Sequence, residues 1–190
     1  SLNFIKQSVL VGQPIVQIIT FEERRVESLI KSLFDQLKRN QVRMFWDINN
    51  GLVKNDKPVP DTQDPVKALE SVMTENAPGF CVFRELNTLL RTNEAAARKL
   101  RDAYRQFKNT KTTLFIISPD EYLCDSLKKE MDILFFELPD YDELADLFYR
   151  FTNSLQKSGR VIELTEDEKK NFIIGVQGLT LDEAYKAYLK

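Results

Sequence analysis

Pro14-Ile15-Val16-Gln17-Ile18-Ile19-Thr20-Phe21-Glu22-Glu23, and its continuation to Lys38, decides the fold. Its first six residues are an apolar run of the kind that makes a strand buried on both faces. The residues after them place Val26, Leu29, Ile30, Leu33, Phe34 and Leu37 on one helical face at three-four spacing. A buried strand running straight into an amphipathic helix is how nucleotide-binding α/β folds begin, and the helix N-terminus is where their phosphate sits. Thr20 and Glu23 stand at capping-box spacing, so their side chains are expected to satisfy the first helical N–H groups. Glu22 and Glu23 also put negative charge where a phosphate would come. The stretch therefore predicts a nucleotide-binding architecture whose nucleotide site is filled from within.

Outward from it, strands and helices alternate. Leu2, Ile5 and Val9 predict a short helix before Gly12. Val42 to Trp46, ending at Asp47, is the second strand, and the polar stretch Asn49 to Gln63 reads as an exposed loop. Asp64-Pro65 opens a helix with Val66, Leu69, Val72 and Met73 inward. Phe80 to Phe83, running into Arg84-Glu85, is the third strand, and Asn93 to Lys108 is a helix. Thr112 to Ile117 is the fourth strand, Glu121 to Lys129 a short helix, and Ile133 to Phe136 the fifth strand. This order predicts an α/β domain over 1–138, a five-stranded parallel sheet with helices on both faces. After Leu138-Pro139 the sequence predicts helices alone, a small all-α subdomain over 139–190 with caps at Thr165/Glu168 and Thr180/Glu183.

Composition removes many activities. The 190 residues contain no histidine, which excludes Ser-His-Asp and Cys-His catalysis and histidine metal sites. Two cysteines, Cys81 and Cys124, are too few for a structural zinc site and fit a reducing cytoplasm. The net charge of -2 gives no general pull toward nucleic acid or an anionic membrane, and no run is long and apolar enough to span one.

A phosphate-cradling loop needs a Gly-Lys pair, and the six glycines here are followed by Gln, Leu, Phe, Arg, Val and Leu. Arg84 stands after the third strand, where a magnesium-holding aspartate would be needed. Both features argue against ATP hydrolysis and against ATP or magnesium as a cofactor of this chain. Strand-end acids Asp47, Glu85 and Asp120 leave open a metal-dependent nuclease. Arg98, Arg101, Arg105 and Lys108 form a basic stripe on one helix, a candidate surface for nucleic acid or an acidic protein, though Glu94 and Asp102 can pair with Arg98.

Taken in order, these segments resemble AAA-type ATPases, in particular the N-terminal, degenerate ATPase-like region of a bacterial and chloroplast family of uncharacterised function. The resemblance rests on Ile18 to Val26, on Asp64-Pro65 with Ala68-Leu69, and on Leu100-Arg101-Asp102. It continues through Ile117-Ser118-Pro119, Phe136 to Asp140, and Gly178 to Ala184. It implies that 139–190 is a helical lid and that Ser118 lies near the place where active relatives put a polar sensor of the γ-phosphate. Lys128 and Lys129 would stand near the arginine-finger position, and no arginine in Thr180 to Lys190 can act as a second sensor. It further implies an inactive domain that self-associates or binds a protein partner, with ATP and magnesium confined to any active domain downstream. An inactive clamp-loader-type module is the alternative.

Overall fold

A computed structural model describes residues 1–36, 42–75, 78–121, 127–160 and 163–189. Leu37, Lys38, Cys124 and most of the expected 121–129 helix lie outside the described residues. The chain divides into two compact units, Ser1–Phe136 and Glu137–Lys190.

The first unit begins with α1 (Leu2–Val11), which Gly12 ends in the left-handed conformation. Strand β1 (Ile15–Ile19) leads to α2 (Glu23–Gln36), and β2 (Val42–Asp47) follows. The segment read as a loop is instead a hairpin, β3 (Gly51–Lys54) and β4 (Lys57–Pro58), laid antiparallel against β2. Asn55 and Asp56, at φ 47 and 64, supply the paired positive φ values of a tight two-residue hairpin turn. Then come α3 (Pro65–Met73), β5 (Gly79–Arg84), a short α4 (Leu86–Leu90) that the sequence did not announce, and α5 (Glu94–Thr110). Strands β6 (Thr113–Ser118) and β7 (Asp132–Phe135) complete the sheet.

The sheet order is β4-β3-β2-β5-β6-β1-β7. The five expected strands, β2-β5-β6-β1-β7, are all mutually parallel, and the hairpin extends one edge. Alternate residues on each strand serve opposite cores, as a pleated strand requires. Cys81, Phe83, Leu114 and Ile116 pack with Leu69, Val72, Leu100 and Phe107 of α3 and α5. Phe80, Val82, Phe115 and Ile117 pack with Ile5 of α1 and with Val26, Ile30, Leu33 and Phe34 of α2. Helices therefore cover both faces, as a parallel sheet demands. Gly79 is obligatory, because a Cβ there would lie 2.4 Å from the Val42 carbonyl oxygen.

Trp46 is core, as the chemistry of its indole allows. It stacks on Phe83 at 5.0 Å and donates from Nε1 to the Thr62 carbonyl at 2.7 Å. Thr62 Oγ1 accepts from Leu52 N at 2.8 Å, which ties the far end of the hairpin segment to the sheet. That anchoring explains why so polar a stretch is ordered.

The second unit holds α6 (Tyr141–Lys157), α7 (Glu166–Gly175) and α8 (Leu181–Tyr188), with Leu144, Phe148, Ile173, Val176 and Ala184 as its core. All three helices start with complete capping boxes. Among the described residues no helix is long and apolar enough to cross a membrane.

Candidate functional site

In a parallel sheet the C-terminal strand ends line one crevice. Here β2 delivers Asp47 and Asn49-Asn50 to it, β5 delivers Arg84 and Glu85, and the first turn of α2 delivers Glu23; the crevice encloses about 440 Å³. Arg84 organises its floor. Its Nε and Nη2 donate to Glu27 Oε1 and Oε2 at 2.7 and 3.0 Å, a bidentate pair. Its Nη1 donates to Asp47 Oδ2 at 3.3 Å, and Glu23 Oε2 lies 3.8 Å from Nε. One cation thus stitches α2 to the ends of β2 and β5.

Glu27 is the residue that sequence reasoning missed. It is only 6% exposed, although it is charged. The signal was present: Glu27 sits between Val26 and Ile30 on the sheet-facing side of α2, where a carboxylate has to find a cation or stay neutral.

Titration follows this geometry. Hydrogen bonds from Arg84 to Glu27, reinforced by the charges of Glu27, Glu23 and Asp47, hold the guanidinium above its ordinary value against burial. Burial pushes Asp47 up, but hydrogen bonds from Asn50 and Asn49 and the Arg84 charge outweigh it, so its carboxyl lies below the usual range. Glu23 goes the other way. Burial raises its carboxyl, Arg84 opposes, and Glu85, Glu27 and Asp47 add repulsion. Among the described residues, Glu23, Glu27, Asp47 and Glu85 thus gather four carboxylates around Arg84.

The expected cap at Thr20/Glu23 does not form. Thr20 Oγ1 accepts from Glu22 N at 3.0 Å, while Glu23 turns toward Arg84. The reason lies in the backbone: β1 continues its pairing so that Thr20 N donates to Ser118 O at 2.8 Å, which takes the N–H a capping glutamate would accept, and the helix begins only at Glu23. The acids at this junction therefore fill the site through Arg84 and not by capping the helix. Glu22 bonds Arg25 instead, at 2.8 Å.

The Ser118 side chain is turned inward. Its Oγ donates to the Asp120 carbonyl at 2.8 Å, and Gln17 Nε2 and Asn87 Nδ2 donate to the same oxygen at 3.1 and 2.9 Å. The three carboxylates of the nuclease reading do not converge. Asp47 and Glu85 line the crevice with Arg84 between the strand ends, Asp120 does not line it, and among the described residues no three His, Cys, Asp or Glu could share a metal ion. The basic stripe is partly compensated. Arg98 meets Asp102 at 3.0 Å, Arg105 meets it at 3.8 Å, Arg101 lies 3.8 Å from Glu130, and Lys108 sits over the Tyr104 ring. Lys128 and Lys129 belong to the turn before β7, and none of these six residues lines the crevice. Cys81 is fully buried, and burial pushes its thiol far up, so it is an inert core residue.

A parallel five-strand core with helices on both faces, followed by a small helical unit, defines an AAA-type ATPase architecture. Solved structures carry the same fold. A RuvB variant of Thermotoga maritima matches with a TM-score of 0.57 and 12% identity over 97% of this chain and 57% of that one. PCH-2 of C. elegans matches at 0.55 and 11%, over 97% and 59%. The AAA domain of FIGL-1 in complex with ADP matches at 0.53 and 12%, over 92% and 58%.

Within that class, the chain belongs to the SpoVK-like AAA ATPase N-terminal domain family, whose model matches residues 3–136. It is similar to the uncharacterised AAA domain-containing protein ycf46 of Guillardia theta, 28% identical over 195 residues, covering 100% of this chain and 37% of that protein. The ycf46 protein of Trieres chinensis is 31% identical over 151 residues, covering 75% and 29%. The chain thus spans well under half the length of these relatives.

Proposed function

We propose that this is a catalytically silent AAA-like domain that serves assembly or partner binding. The observation that carries the reading is the Arg84 cluster. In an ATP-using relative of this fold, the start of the first helix and the end of the third parallel strand must present a cation to phosphate and a carboxylate to magnesium. Here the charges are exchanged: Glu23 stands at the helix start and Arg84 at the strand end, and the two face each other across 3.8 Å. A triphosphate entering the crevice would meet Glu23, Glu85 and Asp47. Magnesium would meet Arg84. The inward hydrogen bonding of Ser118 removes a third polar group from the crevice. Without a Gly-Lys loop, and with Arg84 set among the strand-end acids, what persists of the ATPase is its shape and its surfaces.

The larger ycf46 relatives suggest the setting, a regulatory or assembly half beside other parts of a longer protein. Self-association fits this reading because AAA domains work as assemblies.

Calorimetric titration with magnesium-ATP tests the reading directly. The expected result is no saturable heat up to about 1 mM, a free energy weaker than about -4 kcal/mol, and no phosphate release. Micromolar binding or turnover would overturn it.

A further inference from the structure

We propose that the basic face of α5, joined by the turn before β7, binds the phosphate backbone of a nucleic-acid duplex without regard to sequence. This rests on the partner-binding part of the reading above and names the partner's chemistry.

In sequence the basic residues fall into two groups, Arg98, Arg101, Arg105 and Lys108 on α5 and Lys128-Lys129 beyond β6. The fold merges them. Leu127 and Met131 are buried in the same core as Leu100, Ala103 and Phe107 of α5, and Glu130 stands 3.8 Å from Arg101. The turn is therefore laid beside the helix, with Lys128 and Lys129 exposed on it. The acids set among these cations are Asp102 and Glu130, with Glu94 at the helix start.

The ion pairs do not use these charges up. Asp102 is one carboxylate between two guanidiniums, 3.0 Å from Arg98 and 3.8 Å from Arg105. Arg101 Nε and Glu130 Oε2 form no hydrogen bond with each other, and neither atom has a hydrogen-bond partner among the described residues. Exposed pairs of this kind are weak and screened by salt, so an arriving phosphate can displace them.

Geometry selects a duplex. Arg98, Arg101, Arg105 and Lys108 follow one side of α5 at spacings of three, four and three, a straight row about 15 Å long. Phosphates of a duplex recur about every 3.4 Å along each strand, so the row spans about four of them. Arginine leads the row, and its guanidinium fork meets a phosphate at two points. Surface composition removes the other anionic partners. A protein partner needs an apolar centre to the contact, and a membrane needs apolar side chains to insert. A single strand needs exposed rings on which its bases stack. Among the described residues no large hydrophobic side chain between 49 and 134 is exposed, and the Tyr104 ring beside the row lies under Lys108 Nζ.

The test is fluorescence anisotropy of labelled duplexes of about 20 base pairs, one DNA and one RNA, titrated with the whole 190-residue chain. Saturable binding is expected at about 50 mM salt, weakening on the order of 100-fold by about 200 mM, as about four phosphate contacts require. The tighter duplex identifies the nucleic acid. Arg98→Ala with Arg105→Ala, at side chains 61% exposed, should weaken binding about tenfold or more, and Asp102→Asn should tighten it. Lys6→Ala with Lys57→Ala removes the same charge from α1, across the sheet, and from the far sheet edge, and should weaken binding far less. Unchanged urea midpoints by Trp46 fluorescence show that the variants are folded. The proposal falls if neither duplex binds at about 50 mM salt. It falls equally if the Lys6 and Lys57 variant loses as much as the arginine variant, or if a single strand or polyglutamate binds as tightly as the duplex. Any of these results leaves the silent crevice and self-association standing, because magnesium-ATP titration and mass in solution test those separately.

Discussion

Thr20–Glu23, Thr165–Glu168 and Thr180–Glu183 share one spacing, and they do not share one structure. In the helical unit both pairs close. Thr165 N donates to Glu168 Oε2 at 2.8 Å while Glu168 N donates back to Thr165 Oγ1 at 3.3 Å, and Thr180 with Glu183 repeats this at 2.9 and 3.3 Å. At α2 the glutamate leaves its threonine and faces Arg84. The difference teaches what a local motif is worth. A capping box gains about 1 kcal/mol from neutral backbone donors. At α2 that gain is not on offer, because Thr20 N already donates to Ser118 O at 2.8 Å in the sheet and the helix starts only at Glu23. Where the threonine N–H is left to the helix, the local rule decides; where the sheet has taken it, the glutamate is left to face the Arg84 cation.

The largest expected effect comes from removing that cation. Arg84→Met leaves Glu27 buried without a partner, which should destabilise the α/β unit by about 2–4 kcal/mol, discounted because the guanidinium is partly solvated. Trp46 is the single tryptophan and lies in this core, so urea unfolding followed by its fluorescence reads the effect selectively. Adding Glu27→Leu should recover most of the loss, since the uncompensated carboxylate disappears with its partner. A cost below about 1 kcal/mol for Arg84→Met would show that buried Glu27 does not depend on Arg84 as its partner.

This contrast also marks what the chain discloses by inspection. Alternation of apolar strands with amphipathic helices was legible because each is a short-range pattern, and residues such as Val82 and Phe83 serve opposite cores by simple period two. The β3–β4 hairpin was not, because its order comes from Trp46 and Thr62 across the fold and its outer strand is Lys57-Pro58, a polar pair that reads as loop. At the site, Arg84 and Asp47 announce themselves by position at strand ends. The pairing of Arg84 with Asp47 and with Glu27 joins residues 37 and 57 positions apart, which no window of sequence brings together.

A middle-sized effect sharpens the other side of the comparison. Thr180→Ala removes the acceptor that holds Glu183 N and should cost about 1 kcal/mol of helical-unit stability, read as faster hydrogen exchange of the first α8 amides. The α/β unit should be untouched, with Trp46 fluorescence unfolding at the same urea concentration. If the midpoint moves with the exchange rates, the two units are one cooperative body and the capping sites cannot be compared separately.

The smallest effect is the most discriminating, because its sign differs between the two kinds of site. Glu23 has a folded-state pKa raised above 4.5, chiefly by burial and by neighbouring carboxylates. Its charge therefore costs stability at neutral pH, and that cost fades as pH falls through the folded value. Asp47 is the reverse: its pKa is lowered below 3.8, so its stabilisation is complete above that value and is lost only in stronger acid. Glu23→Gln should thus be neutral to stabilising by no more than about 0.5 kcal/mol at pH 7, with the gain shrinking toward pH 4 as the wild-type carboxyl takes up a proton. Glu168 and Glu183, whose pKa values are lowered by hydrogen bonds from Thr165 and Thr180, should show the opposite trend, each helix start loosening as its glutamate is protonated. Urea midpoints of wild type and Glu23→Gln across pH 4 to 8 separate the cases. A variant less stable than wild type at pH 7 would mean that Glu23 acts as a true third ligand of Arg84, and the crevice would then hold one tightly bound carboxylate more than its geometry at 3.8 Å implies.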